Sequence, residues 1–180
     1  MPSKDEICTY THLYMNPLDA KPEDIVIEDI AHALSLMTRA NGHFPEFYSV
    51  GQHCISCHDE AKARGYKDRV VLACLLHDAA EAYLSDVTRP IKHHMDYYNE
   101  VEKRLLSLIY TKFLGSDLNA EEEKLVKSVD DAMLYYEFLH YMDVPLFLDA
   151  PEIANTPSYG FQAFQNVEKE YLARFHALKT

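Results

Sequence analysis

From Glu23 to Ala40 apolar residues return at every third or fourth position, at Ile27, Ile30, Ala31, Leu34 and Met37. That period is the one-sided stripe of an amphipathic helix, and Asn41-Gly42 supplies its stop. A second helix opens at Ser49, whose hydroxyl suits an N-cap, and runs to about Arg64 with Gly65 just past its end. Asp68 caps a third, which carries Val71, Leu72, Leu75, Leu76 and the pair His77-Asp78. After a short turn at Thr88-Arg89-Pro90, a long helix is predicted from about His94 to Phe113, with Val101, Leu105, Leu108 and Ile109 inward and Gly115 as its terminator. Another runs from about Ala120 to Tyr141, opened by Asn119 or Ser116. Pro145, Pro151 and Pro157 then break up an irregular stretch before a last helix from Phe161 to Leu178. Residues 1–20 read as an irregular lead-in, and no segment carries a convincing period of two. The expectation is one all-α domain over residues 1–180, a compact bundle of six or seven helices.

Composition supports a folded domain and narrows its partners. The 180 residues are 48% hydrophobic, with 13 Tyr and 8 Phe against only 5 Gly, enough for a sizeable core. A net charge of -12 argues against a nucleic-acid duplex, whose phosphates it would repel. A small phosphorylated molecule stays compatible, because a local cluster of cations can outweigh the global field. The polar start Met-Pro-Ser-Lys-Asp-Glu has no apolar export core, and no run approaches the roughly 18 apolar residues of a membrane span. The expected address is the cytoplasm, where Cys8, Cys54, Cys57 and Cys74 are reduced thiols.

Chemistry concentrates at His77-Asp78, at the end of the apolar run Val71 to Leu76. A carboxylate beside such residues is costly without a partner, and a cation is one. Consecutive helical residues lie about 100° apart, so the two side chains address one point only near the helix end or against its flank. His53 lies mid-face on the preceding helix and Asp130 on a later one. Two imidazoles and two carboxylates make a nitrogen–oxygen set that suits one divalent transition metal, Mn, Co, Fe, Ni or Zn, rather than Ca.

With these ligands, the segments Asp29 to Ser35, Arg39 to His43, Tyr48 to His53 and Leu75 to Lys92 make the chain resemble the HD-domain superfamily of metal-dependent phosphohydrolases. It is most similar to the 5'-deoxynucleotidase-like branch, over about residues 25–140. The resemblance implies His53, His77, Asp78 and Asp130 as the metal ligands. Asp131 competes with Asp130, but only Asp130 has the family's Leu at +4 (Leu134) and Glu at +7 (Glu137). It also implies hydrolysis of a phosphate monoester, of a nucleotide or deoxynucleotide, by metal-activated water. Glu81, four residues after His77, is placed to orient or deprotonate the water or to support a ligand. Asp86 matches a position that faces substrate, as general acid or ribose contact. Arg39 is the candidate phosphate clamp, with His43 and Lys92 as weaker candidates. Homologues of this type are often dimers, and the aromatic run Ala132 to Leu139 suits core and subunit interface.

Other readings compete. The chain can be a regulatory module that holds metal and nucleotide with little turnover. Cys54-Ile55-Ser56-Cys57-His58 has the C-x-x-C-H form of a c-type haem attachment, although that chemistry belongs outside the cytoplasm. His93-His94 invites a second metal but lacks the further spaced histidines that a dinuclear site needs.

Overall fold

In the computed structural model, which describes residues 3–179, the chain runs α1 (Ile27–Leu36), α2 (Val50–Ala63), α3 (Asp68–Leu76), α4 (Glu81–Leu84), α5 (Arg89–Lys92), α6 (Asp96–Leu114), α7 (Ala120–Met142) and α8 (Phe164–Ala177). The all-α expectation holds. The sheet among the described residues is one two-residue pairing of Ile7–Cys8 with Tyr14–Met15, in the segment expected to be irregular.

Helices α2 and α7 start where side chains take over the unpaired backbone donors, whereas at α3 the expected cap Asp68 is the first helical residue and Lys67 precedes it without a side-chain cap. Ser49 Oγ accepts from the Gln52 amide, and Gln52 Oε1 accepts from the Ser49 amide. Asn119 and Glu122 form the same reciprocal box at the start of α7. Gly115 closes α6 in the left-handed region at φ 85°, which costs a glycine little.

α1 is shorter than its apolar stripe. Pro22–Asp24 forms a separate 3₁₀ turn, and after Leu36 the backbone pairs elsewhere. The Arg39 amide donates to the Tyr48 carbonyl and the Val50 amide to the Met37 carbonyl, closing residues 38–49 into a loop. Ala40 and Asn41 turn within it at φ 50° and 53°. α6 starts at Asp96 rather than His94 because the His93 and His94 amides bond back to Arg89 and Ile91.

α2 is the central element, in contact with α1, α3, α7 and α8. It is buried on several faces, which is why polar Gln52, His53, Ser56, His58 and Glu60 lie inside. Gly51 allows the close approach of α1: a Cβ there would stand 3.2 Å from the Leu34 carbonyl oxygen and 3.0 Å from Val167. The fully buried Glu60 carboxylate accepts from Arg64 and from the Ala154 and Asn155 amides. Those bonds, with Tyr136 donating to the Pro151 carbonyl, hold the proline-broken stretch against α2 and α7. No helix among the described residues is long and apolar enough to cross a membrane.

Candidate metal centre and adjoining cleft

α3 ends at Leu76, so His77 and Asp78 lie beyond its last regular turn, where both can face one point. That point is shared with His53 from the middle of α2 and Asp130 from α7. His53 Nε2 lies 3.2 Å from His77 Nε2, 3.3 Å from Asp130 Oδ1 and 3.8 Å from Asp78 Oδ2. His77 Nε2 lies 3.4 Å from Asp78 Oδ2 and 3.7 Å from Asp130 Oδ1. Donors on an ion held at about 2.1 Å stand about 3.0 Å apart at right angles and about 3.4 Å apart at the tetrahedral angle. The four side chains fit such an ion.

The far sides of both rings are fixed. His53 Nδ1 donates to Glu137 Oε1 at 2.6 Å and His77 Nδ1 to the Cys74 carbonyl at 2.8 Å. Each ring therefore turns its Nε2 lone pair toward the shared point, the arrangement that orients metal-ligating histidines. Two such lone pairs 3.2 Å apart repel unless a cation, a proton or a metal, lies between them. Burial opposes charge on either ring. At His53, where Arg39 also opposes it, the surrounding Cys57, Glu137 and Asp130 outweigh both, and at His77 Asp78, Cys57 and Asp130 outweigh burial. Both are held well above the ordinary histidine range. Asp130 is held well below the usual carboxylate range against burial, by hydrogen bonds from His53 and His77. Asp78 is lowered against burial by His77, Arg39 and His53.

Asp131 turns away from the cluster, pairing with Arg89 at 3.1 Å and with Lys127 at 2.7 Å. Two buried thiols do approach it. Cys57 Sγ is 3.5 Å from His53 Nε2, and the sets His53–Cys57–His77 and Cys54–His77–Asp78 each bring donor atoms within 4.8 Å of one another. The carboxylates are the readier donors, because burial pushes the Cys54 thiol up while Asp78 and Asp130 are ionised. Because Cys54 and Cys57 are closed in the core and His58 Nδ1 is paired with Asp59, the C-x-x-C-H run presents no accessible thiols to a haem. His93 and His94 are exposed ahead of α6 and belong to neither donor set.

A cleft of about 520 Å³ opens from Asp78 and Asp130. Arg39, Glu81, Asp86 and Lys92 line it together with Arg89, and Val87, Leu134, Phe138, Leu146 and Phe147 form an apolar wall. Arg39 is buried, its guanidinium 3.5 Å from Asp78 and 3.4 Å from Glu137. Lys92 donates to Glu102 at 2.6 Å, with Glu81 at 4.0 Å. Glu81 Oε2 is buried without a hydrogen-bond partner. Burial, then Asp78 and Asp86, push the Glu81 carboxyl well above its usual range, and burial also raises Asp86. Ser85, between them, sits at φ 77°, a strained conformation for a residue with a Cβ. His43 is exposed and does not line the cleft.

Glu137 and Arg89 were not among the residues singled out for the site. Glu137 had a signal, since seven residues from Asp130 is two helical turns along the same face. Arg89 read only as part of a turn.

Residues 45–142, more than half the chain, match the HD-domain family. The chain belongs to the HD-domain family. Members of that family are generally metal-dependent hydrolases. The HD domain is also 34% identical to uncharacterized protein YfdR of Escherichia coli K12 over 102 residues, 57% of this chain and 53% of that protein. It is 38% identical to uncharacterized protein RCAP_rcc00048 of Rhodobacter capsulatus over 120 residues, 63% of this chain and 61% of that protein. The matched segments thus span between half and two thirds of the curated relatives' length.

Proposed function

We propose that this HD domain hydrolyses a phosphate monoester of a nucleotide or deoxynucleotide, with one divalent transition metal held by His53, His77, Asp78 and Asp130. The observation that carries the reading is the convergence of those donors beside a cleft lined both by charged side chains and by Val87, Leu134, Phe138, Leu146 and Phe147. The cleft volume of about 520 Å³ falls in the range of about 300–1,000 Å³ usual for small-molecule sites. A nucleoside monophosphate has the matching polarity, a dianion at one end and a flat, weakly polar base at the other.

Held by these four side chains, a divalent ion would supply Lewis acidity. The chain's residues do the rest. Arg39 and Lys92 offset charge on the phosphate. Glu81 and Asp86 sit where burial favours their protonated forms, so either can give a proton to the leaving oxygen, and Glu81 Oε2 is free to do so. Leu134, Phe138 and Phe147 cover the base and exclude water from the charged end. A homodimer is proposed as well, on exposed Val144 and Leu148, which do not line the cleft, with light scattering as its measurement.

The test incubates purified protein with deoxynucleoside monophosphates and Mn or Co and measures free phosphate. Release that needs the metal and is lost in His77→Ala supports the reading. Release that survives chelation, or persists in His77→Ala, ends it.

A further inference from the structure

Of the three cations lining the cleft, Arg39 is 11% and Lys92 24% exposed at the side chain, whereas Arg89 is 46% exposed. It stands on the first residue of α5, next to Pro90. Its forked guanidinium spans two carboxylates, Nη2 at 2.7 Å from Asp130 Oδ2 and Nη1 at 3.1 Å from Asp131 Oδ1. The other oxygen of Asp130 faces the histidine pair. Arg89 is therefore one carboxylate's width from the point where the four donors converge.

Its present partners can release it. Asp131 keeps a second cation, Lys127, which donates to both of its oxygens. Asp130 keeps His53 and His77. A half-exposed ion pair is itself worth little, whereas a fork of N–H donors on a phosphate dianion is a strong, bidentate contact.

We propose that Arg89 is a substrate-binding residue, a swinging clamp that leaves Asp130 and Asp131 to take the phosphate group of the incoming nucleotide. This rests on the phosphohydrolase reading above and adds to it the residue that captures the phosphoryl oxygens facing solvent. A merely orienting role, holding Asp130 for the metal, makes the opposite forecast. A positioning residue's loss weakens metal binding, whereas removal of a competing cation leaves it equal or tighter.

The experiment uses the full chain loaded with cobalt, and calorimetry with inorganic phosphate as the probe. Arg89→Ala weakens phosphate binding tenfold or more, Arg89→Lys restores part of it, and cobalt affinity does not fall. Lys127→Ala, which removes the cation that Asp131 keeps when Arg89 leaves, weakens phosphate binding by less than Arg89→Ala does and leaves cobalt affinity unchanged. With substrate, the Arg89→Ala loss falls more on KM than on kcat. Unchanged phosphate binding in Arg89→Ala, a parallel fall in cobalt affinity, or no phosphate binding by the unsubstituted protein would each overturn the proposal. Phosphate binding that depends on Arg89 without any turnover would instead remove the hydrolase reading and leave the clamp standing.

Discussion

Glu137→Gln is the most informative single substitution, because it changes the charge behind a candidate ligand without touching the four donors. Glu137 is 1% exposed, accepts from His53 Nδ1 at 2.6 Å and lies 3.4 Å from Arg39. Its carboxyl is lowered against burial by His53 and Arg39, so it is ionised where it sits. A hydrogen bond to a charged group contributes about 1.5–3 kcal/mol and a neutral one about 0.5–1.5 kcal/mol. The amide thus forfeits roughly 1–1.5 kcal/mol of the support that makes His53 Nε2 a strong donor. Metal affinity should fall about tenfold, since 1.4 kcal/mol is one decade. Glu137→Ala should cost more, about 3 kcal/mol of stability, because it strips a buried partner from Arg39. The assay is competition with a chelator for cobalt or zinc, alongside urea unfolding of the metal-free protein. If Glu137→Gln loses stability while its metal affinity stays within about twofold of the original, Glu137 is only a packing residue and the reasoning fails.

Glu81→Gln should lower kcat by about 10²–10⁴ at unchanged metal affinity, since the amide keeps the shape of a protonated acid but has no proton to give; a kcat near the original would remove Glu81 from the chemistry. Metal-free protein should lose stability as pH rises above about 6.5, because histidines with raised folded pKa values stabilise fully below the unfolded value and cease to as they deprotonate. Saturating metal should abolish that loss, so melting curves with and without chelator at pH 6 and 9 that fall in parallel would contradict the shared-point geometry. Arg174→Ala should cost up to about 1 kcal/mol near pH 7, through the loss of its pair with Asp59. Asp59 is lowered to about 2 against burial, by its hydrogen bond with His58 and by Arg174, so the Arg174 share of that difference should shrink as pH drops below the unfolded aspartate value of about 3.9 toward 2, as read from urea midpoints. Gly51→Ala should destabilise by about 1–3 kcal/mol, because its Cβ meets the backbone of Leu34 as well as the Val167 side chain, and the backbone cannot rotate away; an unchanged midpoint would mean that α1 shifts freely.

Local chemistry in the chain was enough to determine the all-α fold, the caps at Ser49 and Asn119, the stop at Gly115 and the interest of His77-Asp78, while the family resemblance, not local chemistry, added His53 and Asp130 as its candidate companions. Helix periodicity and capping act over a few residues, and the metal-type residues stood out because charge is expensive beside apolar runs. What came from tertiary structure alone was mostly a matter of partners far apart in sequence. The backbone of residues 38–50 chose Tyr48 and Met37 over a longer α1. Glu137, 84 positions from His53, became its hydrogen-bond acceptor because α2 and α7 pack side by side. Arg39, the candidate phosphate clamp, lies spread between Asp78 and Glu137, while Arg89, a residue of a turn in the sequence, lines the cleft with an exposed side chain. A sequence shows which side chains can bind a phosphate; which of them is left unenclosed depends on the charges that packing brings beside each one.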